Sequence, residues 1–150
     1  MIRFYFPLAS STNWDQRWLG LAQYISTFSK DPSTKCGGVI IRPDKTLASI
    51  GFNGFPKGIE DWSHHYENRE KKYRKIIHAE INALHFAREQ VVGYTLYTWP
   101  FAPCEACALH IIQKGIARVV APKETPDRWK ESVRNASALF TEAGVALYLI

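Results

Sequence analysis

At 150 residues and 17.1 kDa, the chain has the length of one domain and can bury a real core. Its 46% apolar and 22% charged residues are ordinary for a soluble globular protein. A net charge of +5 and a pI near 9.2 suit an anionic partner but choose poorly among anions.

No run of Lys and Arg is long and unbroken; the nearest, Arg69-Glu70-Lys71-Lys72-Tyr73-Arg74-Lys75, carries a carboxylate and reads as a solvated helix face, with a phosphate-facing segment near an active site as the alternative. At the N-terminus, Ile2-Arg3-Phe4-Tyr5-Phe6-Pro7-Leu8 is too short and too interrupted for a signal peptide or membrane helix. A cytoplasmic protein with one domain over residues 1–150 is therefore expected. Three cysteines, an odd number with two in a metal-type spacing, point away from a disulfide framework and towards a reducing compartment. The third, Cys36, reads as a small buried hydrophobe rather than a ligand.

Ser11, Thr12 and Asn13 are N-cap candidates for an amphipathic run. Trp14, Trp18, Leu21, Ala22, Ile25 and Phe28 follow at helical spacing, predicting a helix over about 14–29 with the tryptophans as core anchors. Lys30-Asp31-Pro32-Ser33 breaks it. Strands are expected over 38–41 and 47–52, joined as a hairpin through Arg42-Pro43-Asp44-Lys45. A long stretch punctuated by Gly and Pro begins at Asn53-Gly54-Phe55-Pro56-Lys57-Gly58 and stays polar to about Lys75. Loops of that length are usually functional or carry a short helix of their own. A second helix is expected over 77–88, with Ile77, Ile81 and Leu84 on its apolar face, and a third strand over 94–98. A third helix over 104–114 ends at Gly115, and a fourth strand covers 117–121. The last helix starts at Pro126 or Asp127 and closes at Gly144, before a fifth strand over 145–149. A helix between the fourth and fifth strands implies a crossover, so those two should be parallel. The expected fold is α/β: three α/β/α layers around a five-stranded mixed sheet.

His78-Ala79-Glu80 and Pro103-Cys104-Glu105-Ala106-Cys107 carry the chemistry. They supply one imidazole, two thiolates and a spare carboxylate, the needs of a catalytic zinc that keeps one coordination place open. Such a metal brings the pKa of water from about 15.7 towards 7. Glu80, two residues past His78, can serve that water without ligating the metal. Cys104 and Cys107 share one face of a helix's first turn, where unpaired N–H groups favour thiolate; Pro103 precedes it, where a missing N–H costs nothing. A structural zinc would need a fourth ligand, and His64, His65, His85, His110 and Cys36 offer none with a convincing spacing. It would also leave Glu80 without a purpose. His85 and His110 read as packing or surface residues, and His64-His65 as solvated loop. Cys-x-x-Cys alone is weak, but His-x-Glu followed by Pro-Cys-x-x-Cys is a signature of nucleobase zinc deaminases.

Over residues 14–150 the chain resembles the cytidine deaminase superfamily, and most closely its deoxycytidylate (dCMP) deaminases. Besides the zinc motifs, the resemblance rests on Lys30-Asp31-Pro32-Ser33-Thr34-Lys35, Gly51-Phe52-Asn53-Gly54-Phe55-Pro56-Lys57-Gly58, Arg69-Glu70-Lys71-Lys72-Tyr73 and Ile77-His78-Ala79-Glu80-Ile81-Asn82-Ala83-Leu84. It implies the cytidine deaminase-like fold and Zn²⁺ bound by His78, Cys104 and Cys107, with Glu80 as proton shuttle. It also implies Asn53 as a hydrogen-bond partner of the deoxyribose, Lys35 as a contact of the phosphate, and Ala79 among the substrate contacts. Trp99 or Phe101 would stack on the pyrimidine or simply pack in the core. The implied reaction is dCMP to dUMP, feeding thymidylate synthesis, in a homo-oligomer activated by dCTP and inhibited by dTTP. Two departures stand out. Cys36-Gly37-Gly38 replaces the usual Val-Gly-Ala, and Thr98-Trp99-Pro100-Phe101-Ala102 is about one residue long for the family.

A deaminase of tRNA or single-stranded DNA would share the zinc site but should carry a continuous basic track with exposed aromatics; here the lysines are scattered, and no nucleic-acid partner is expected. A pterin or riboflavin-precursor deaminase would normally be fused to a reductase domain. A non-catalytic scaffold on this fold would be expected to have lost Glu80 or a ligand.

Overall fold

A computed structural model describes residues 13–150. Residues 2–8 and the cap candidates Ser11 and Thr12 lie outside the described residues. Asn13 is the N-cap of α1 (Trp14–Ser26), its side chain accepting the Gln16 N–H at 3.3 Å. The helix ends earlier than expected because the Ser26 and Thr27 hydroxyls turn back onto the carbonyls of Gln23 and Tyr24, each at 2.6 Å. Its aromatic residues divide. Trp18 packs against the core, whereas Trp14 is 41% exposed and is not the anchor expected; Phe28, past the helix end, is 46% exposed.

β1 (Gly37–Ile41) and β2 (Leu47–Phe52) form the expected antiparallel hairpin, with Lys45 in the turn at φ 69°. β1 also pairs antiparallel with β3 (Thr95–Trp99). β3, β4 (Arg118–Ala121) and β5 (Ala146–Leu149) then run parallel, giving the order β2-β1-β3-β4-β5. Alternation along the strands separates two cores. Val39, Ile41, Tyr97 and Val120 meet Leu19, Ala22 and Ile25 of α1 on one face. Ile40, Leu96 and Val119 meet the remaining large helices on the other. Those helices are α4 (Ala79–Phe86), α5 (Glu105–Gln113) and α6 (Lys130–Ala143), the last entered through a 3-10 turn at Asp127–Trp129 and closed by Gly144 at φ 75°. The three layers are those expected. No helix among the described residues is long and apolar enough to cross a membrane.

The long connection holds two short helices, α2 (Ser63–Glu67) and α3 (Arg69–Lys75). α3 is not a wholly solvated face, because Lys72 is buried. α4 begins two residues later than expected. Ile77 instead bridges to Gly54 through N–H···O bonds of 2.8 and 3.1 Å, leaving His78 extended as the N-cap. Gly51 lets α4 lie close on β2, since a Cβ there would stand 2.5 Å from the Ala79 carbonyl oxygen. That close approach holds the start of α4, and with it His78, against the sheet.

One polar network crosses the α1 face. Arg118 donates to both Asp15 oxygens at 2.8 and 2.6 Å, Tyr97 adds its hydroxyl at 2.7 Å, and the guanidinium lies 4.4 Å from the Tyr148 ring centroid. The Arg118 hydrogen bonds hold the Asp15 carboxyl below its ordinary value of 3.8. A depressed native pKa means the stabilisation is present above the unfolded value and is lost as pH falls through the native one. Asp15→Asn should cost about 1–2 kcal/mol at pH 7, or about 2–8 °C in Tm for a chain of this size. The gap to wild type in thermal melts should narrow as pH falls below 3.8. A gap independent of pH would show that the carboxylate's charge contributes nothing.

Candidate active site

His78 and Cys104 are the extended N-cap residues of α4 and α5, and Cys107 lies one turn into α5. Two helix starts from the same face of the sheet therefore deliver three soft or borderline ligands to one point. The Cys104 and Cys107 sulfurs stand 3.5 and 3.2 Å from His78 Nδ1, and all three ligand atoms lie within 4.8 Å of one another. Bonds of about 2.0 Å to nitrogen and 2.3 Å to sulfur at a tetrahedral centre imply an N···S separation of about 3.6 Å. The cluster therefore fits zinc in both size and donor chemistry. Among the described residues it is the one such group, so His64, His65, His85, His110 and Cys36 supply no fourth ligand.

The three ligands hold their protons unequally. Hydrogen bonding from Cys107 pulls the Cys104 thiol down to about 4 against the opposing effect of burial. The reciprocal bond, together with burial, pushes Cys107 up. One thiolate forms readily and the second resists, which a divalent ion in place of the proton would reverse. His78 is raised mainly by its bond to Cys104.

Glu80, in the first turn of α4, is only 9% exposed, and Cys107 Sγ stands 3.8 Å from its Oε2. Burial is the chief cause that raises its pKa. Ala79, Phe101 and Asn53 line the same cavity. Asn53 is heavily engaged. Its Nδ2 donates to the Thr34 carbonyl at 2.9 Å and to Asp31 at 3.4 Å, and its Oδ1 accepts the Cys36 N–H at 2.8 Å. Cys36 is half-buried in the cavity wall, where burial pushes its thiol up.

Two expected contacts fall elsewhere. Lys35 stands outside the wall and donates its ammonium to the Ser29 carbonyl. Trp99, next after Tyr97 on the same face of β3, packs in the α1 core, while Phe101 reaches the cavity. The Trp99-Pro100 peptide between them is cis.

The cavity also contains groups the sequence left unassigned. Lys72 Nζ sits 3.2 Å from each Asp31 oxygen, both side chains being about 5% exposed, and Asp31 Oδ1 accepts the Ser33 N–H at 2.8 Å. Arg128 donates to Thr34 Oγ1 at 2.9 Å, and Trp129 stacks on Phe101 with ring centroids 6.0 Å apart. Asp31 lay in a segment already singled out, but Lys72 carried no signal of burial, and Arg128 and Trp129 signalled only a helix start.

Residues 12–123 match the family model for the cytidine and deoxycytidylate deaminase zinc-binding region. A protein named as an uncharacterized deaminase in the luxG 3′ region of Aliivibrio fischeri is 40% identical over 137 residues, 89% of this chain and 91% of its own. The deoxycytidylate deaminase of Mus musculus is 34% identical over 140 residues, 88% of this chain and 76% of its own. The dCMP deaminase of cyanophage S-TIM5, solved with dCMP and dUMP, superposes with a TM-score of 0.75 at 21% identity, covering 95% of this chain and 100% of that one. Motif, geometry and these likenesses agree: the chain belongs to the cytidine and deoxycytidylate deaminase family.

Proposed function

We propose that the protein is a zinc-dependent dCMP deaminase that hydrolyses dCMP to dUMP and ammonia, supplying dUMP for thymidylate synthesis. The observation that carries this reading is Glu80, a buried carboxyl standing beside the His78, Cys104 and Cys107 cluster. A structural metal site has no use for such a group. The likeness to deoxycytidylate deaminases over most of the chain supplies the substrate.

His78, Cys104 and Cys107 would hold the zinc. When bound, zinc supplies the Lewis acidity that makes a water nucleophilic near neutral pH. Glu80 accepts the water's proton and passes it to the ring nitrogen of cytosine as oxygen adds at C4. It then takes the second proton from the C4 hydroxyl as the carbonyl forms and delivers it to the amine as the C4–N bond breaks, so one carboxyl serves every transfer. Ala79 and Phe101 exclude water from the base. Asn53 has both Nδ2 hydrogens committed to Thr34 and Asp31, so what it offers a ligand is an oxygen lone pair, which fits a donating sugar hydroxyl. With Lys35 turned to Ser29, Arg128 is the exposed cation of the wall and the better partner for the 5′-phosphate.

In this reading residues 1–150 act as one deaminase domain, cytoplasmic and homo-oligomeric, with dCTP and dTTP as effectors. Support for the effectors is a groove of about 880 Å³ along Asn53, Gly54, Phe55 and Lys57. The test is turnover by zinc-loaded protein of dCMP, dCTP, deoxycytidine, cytidine, 5-methyl-dCMP and a short cytosine-containing oligonucleotide. The highest kcat/KM is expected for dCMP. Turnover of the oligonucleotide with dCMP inert would overturn the reading.

A further inference from the structure

We infer that the indole N–H of Trp129 donates to a phosphate oxygen of the bound nucleotide, making Trp129 a residue that selects nucleotide over nucleoside. The inference rests on the dCMP reading and deepens it. Trp129 closes the 3-10 turn before α6 and forms part of the cavity wall, its ring stacked on Phe101 at an interplanar angle of 28°. Its Nε1 is buried and has no hydrogen-bond partner among the described residues. Buried indole N–H groups normally find an acceptor, and each exception needs an explanation.

The polar groups around the cavity say what kind of acceptor is missing. Arg128, adjacent in the chain, has its guanidinium 5.9 Å from the Trp129 ring centroid and commits one donor to Thr34 Oγ1. Lys72 brings an ammonium to the same wall. Two acceptors of the wall are taken up by other groups: Asp31 by Lys72, the Ser33 N–H and Asn53, and the Thr34 carbonyl by Asn53. An unpaired N–H and an exposed cation, Arg128, thus belong to neighbouring residues of one wall. A phosphate, with several acceptor oxygens and negative charge, answers both. A neutral base carbonyl answers only the first.

Trp18 provides an internal control. Its Nε1 is likewise buried without a partner among the described residues, but it packs with the α1 core and takes no part in the cavity wall. If an orphan indole were a mere packing compromise, the two should behave alike.

The experiment compares zinc-loaded wild type, Trp129→Phe and Trp18→Phe on dCMP and on deoxycytidine. Phenylalanine keeps a stacking ring and removes only the donor. For Trp129→Phe, the loss of kcat/KM on dCMP should exceed that on deoxycytidine by about ten- to a hundredfold, carried mainly by KM. Trp18→Phe should leave the ratio of the two substrates unchanged. A second readout needs no variant to fold well. In wild type, the Trp129 indole N–H proton resonance should move downfield with dUMP and stay in place with deoxyuridine. Equal losses on both substrates for Trp129→Phe, or no loss on either, would overturn the inference. Wild type that turns dCMP over while its indole ignores dUMP would overturn the inference alone. Wild type inert to dCMP would overturn the reading on which it rests.

Discussion

Glu80→Gln should leave the fold and the metal in place and remove nearly all turnover of dCMP. Glutamine matches the carboxyl in shape but can neither accept the water's proton nor donate one to the leaving amine. General acid–base groups contribute about 10²–10⁴-fold, and a residue serving several transfers belongs at the upper end. The side chain is buried, so a local change cannot be masked by solvent taking over its role. Stability should move the other way in the metal-free protein. Burial raises the Glu80 pKa, so the ionised form is disfavoured in the native state. An acid with a raised native pKa subtracts stability once pH passes its unfolded value. Metal-free Glu80→Gln should therefore melt no lower than metal-free wild type at pH 7. Zinc content, kcat on dCMP and thermal melts check the three parts. Activity within tenfold of wild type would mean that another group moves the protons.

The metal cluster was legible in the sequence because local rules build it. A Cys-x-x-Cys at a helix start puts both sulfurs on one face through helical spacing alone, and His78 caps the neighbouring helix. Sheet order was partly legible: the crossover helix α6 required β4 and β5 to be parallel, and the structure adds β3 to that set. The Trp99 and Phe101 alternative was decidable in principle, because Trp99 shares a strand face with Tyr97 and both pack beneath α1. The rest of the cavity depends on contacts between distant segments. Lys72 and Lys35 are both lysines in polar stretches, and no local pattern tells which one is drawn inward. Asp31, 41 residues away, decides it by pairing with Lys72 across the cavity. The same holds for Arg128 and Thr34, which are 94 residues apart. α3 was misread for this reason too: one inward lysine on a charged helix leaves no trace in hydrophobic periodicity.

Cys104→Ser should cost the protein its zinc and, with it, part of its stability. A serine hydroxyl stays protonated where the thiolate forms readily, and it is a harder, poorer donor for zinc. Partners outside the coordination shell change metal affinity by about 10–100-fold when removed, so loss of one of three ligands should exceed that. Chelator competition on purified protein should show wild type near one zinc per chain and the variant largely empty. Because binding to the native state alone stabilises it, zinc at a hundred times its Kd adds about 2.7 kcal/mol, or about 5–11 °C in Tm at this chain length. Added zinc should therefore raise the Tm of wild type and leave the variant nearly unmoved, while the two metal-free proteins melt close together. Cys36→Ser separates ligation from general loss of a thiol, because Cys36 stands outside the cluster and should keep its zinc. Full zinc retention in Cys104→Ser would remove Cys104 from the ligand set and, with no fourth candidate among the described residues, would leave the three-ligand centre without its geometry.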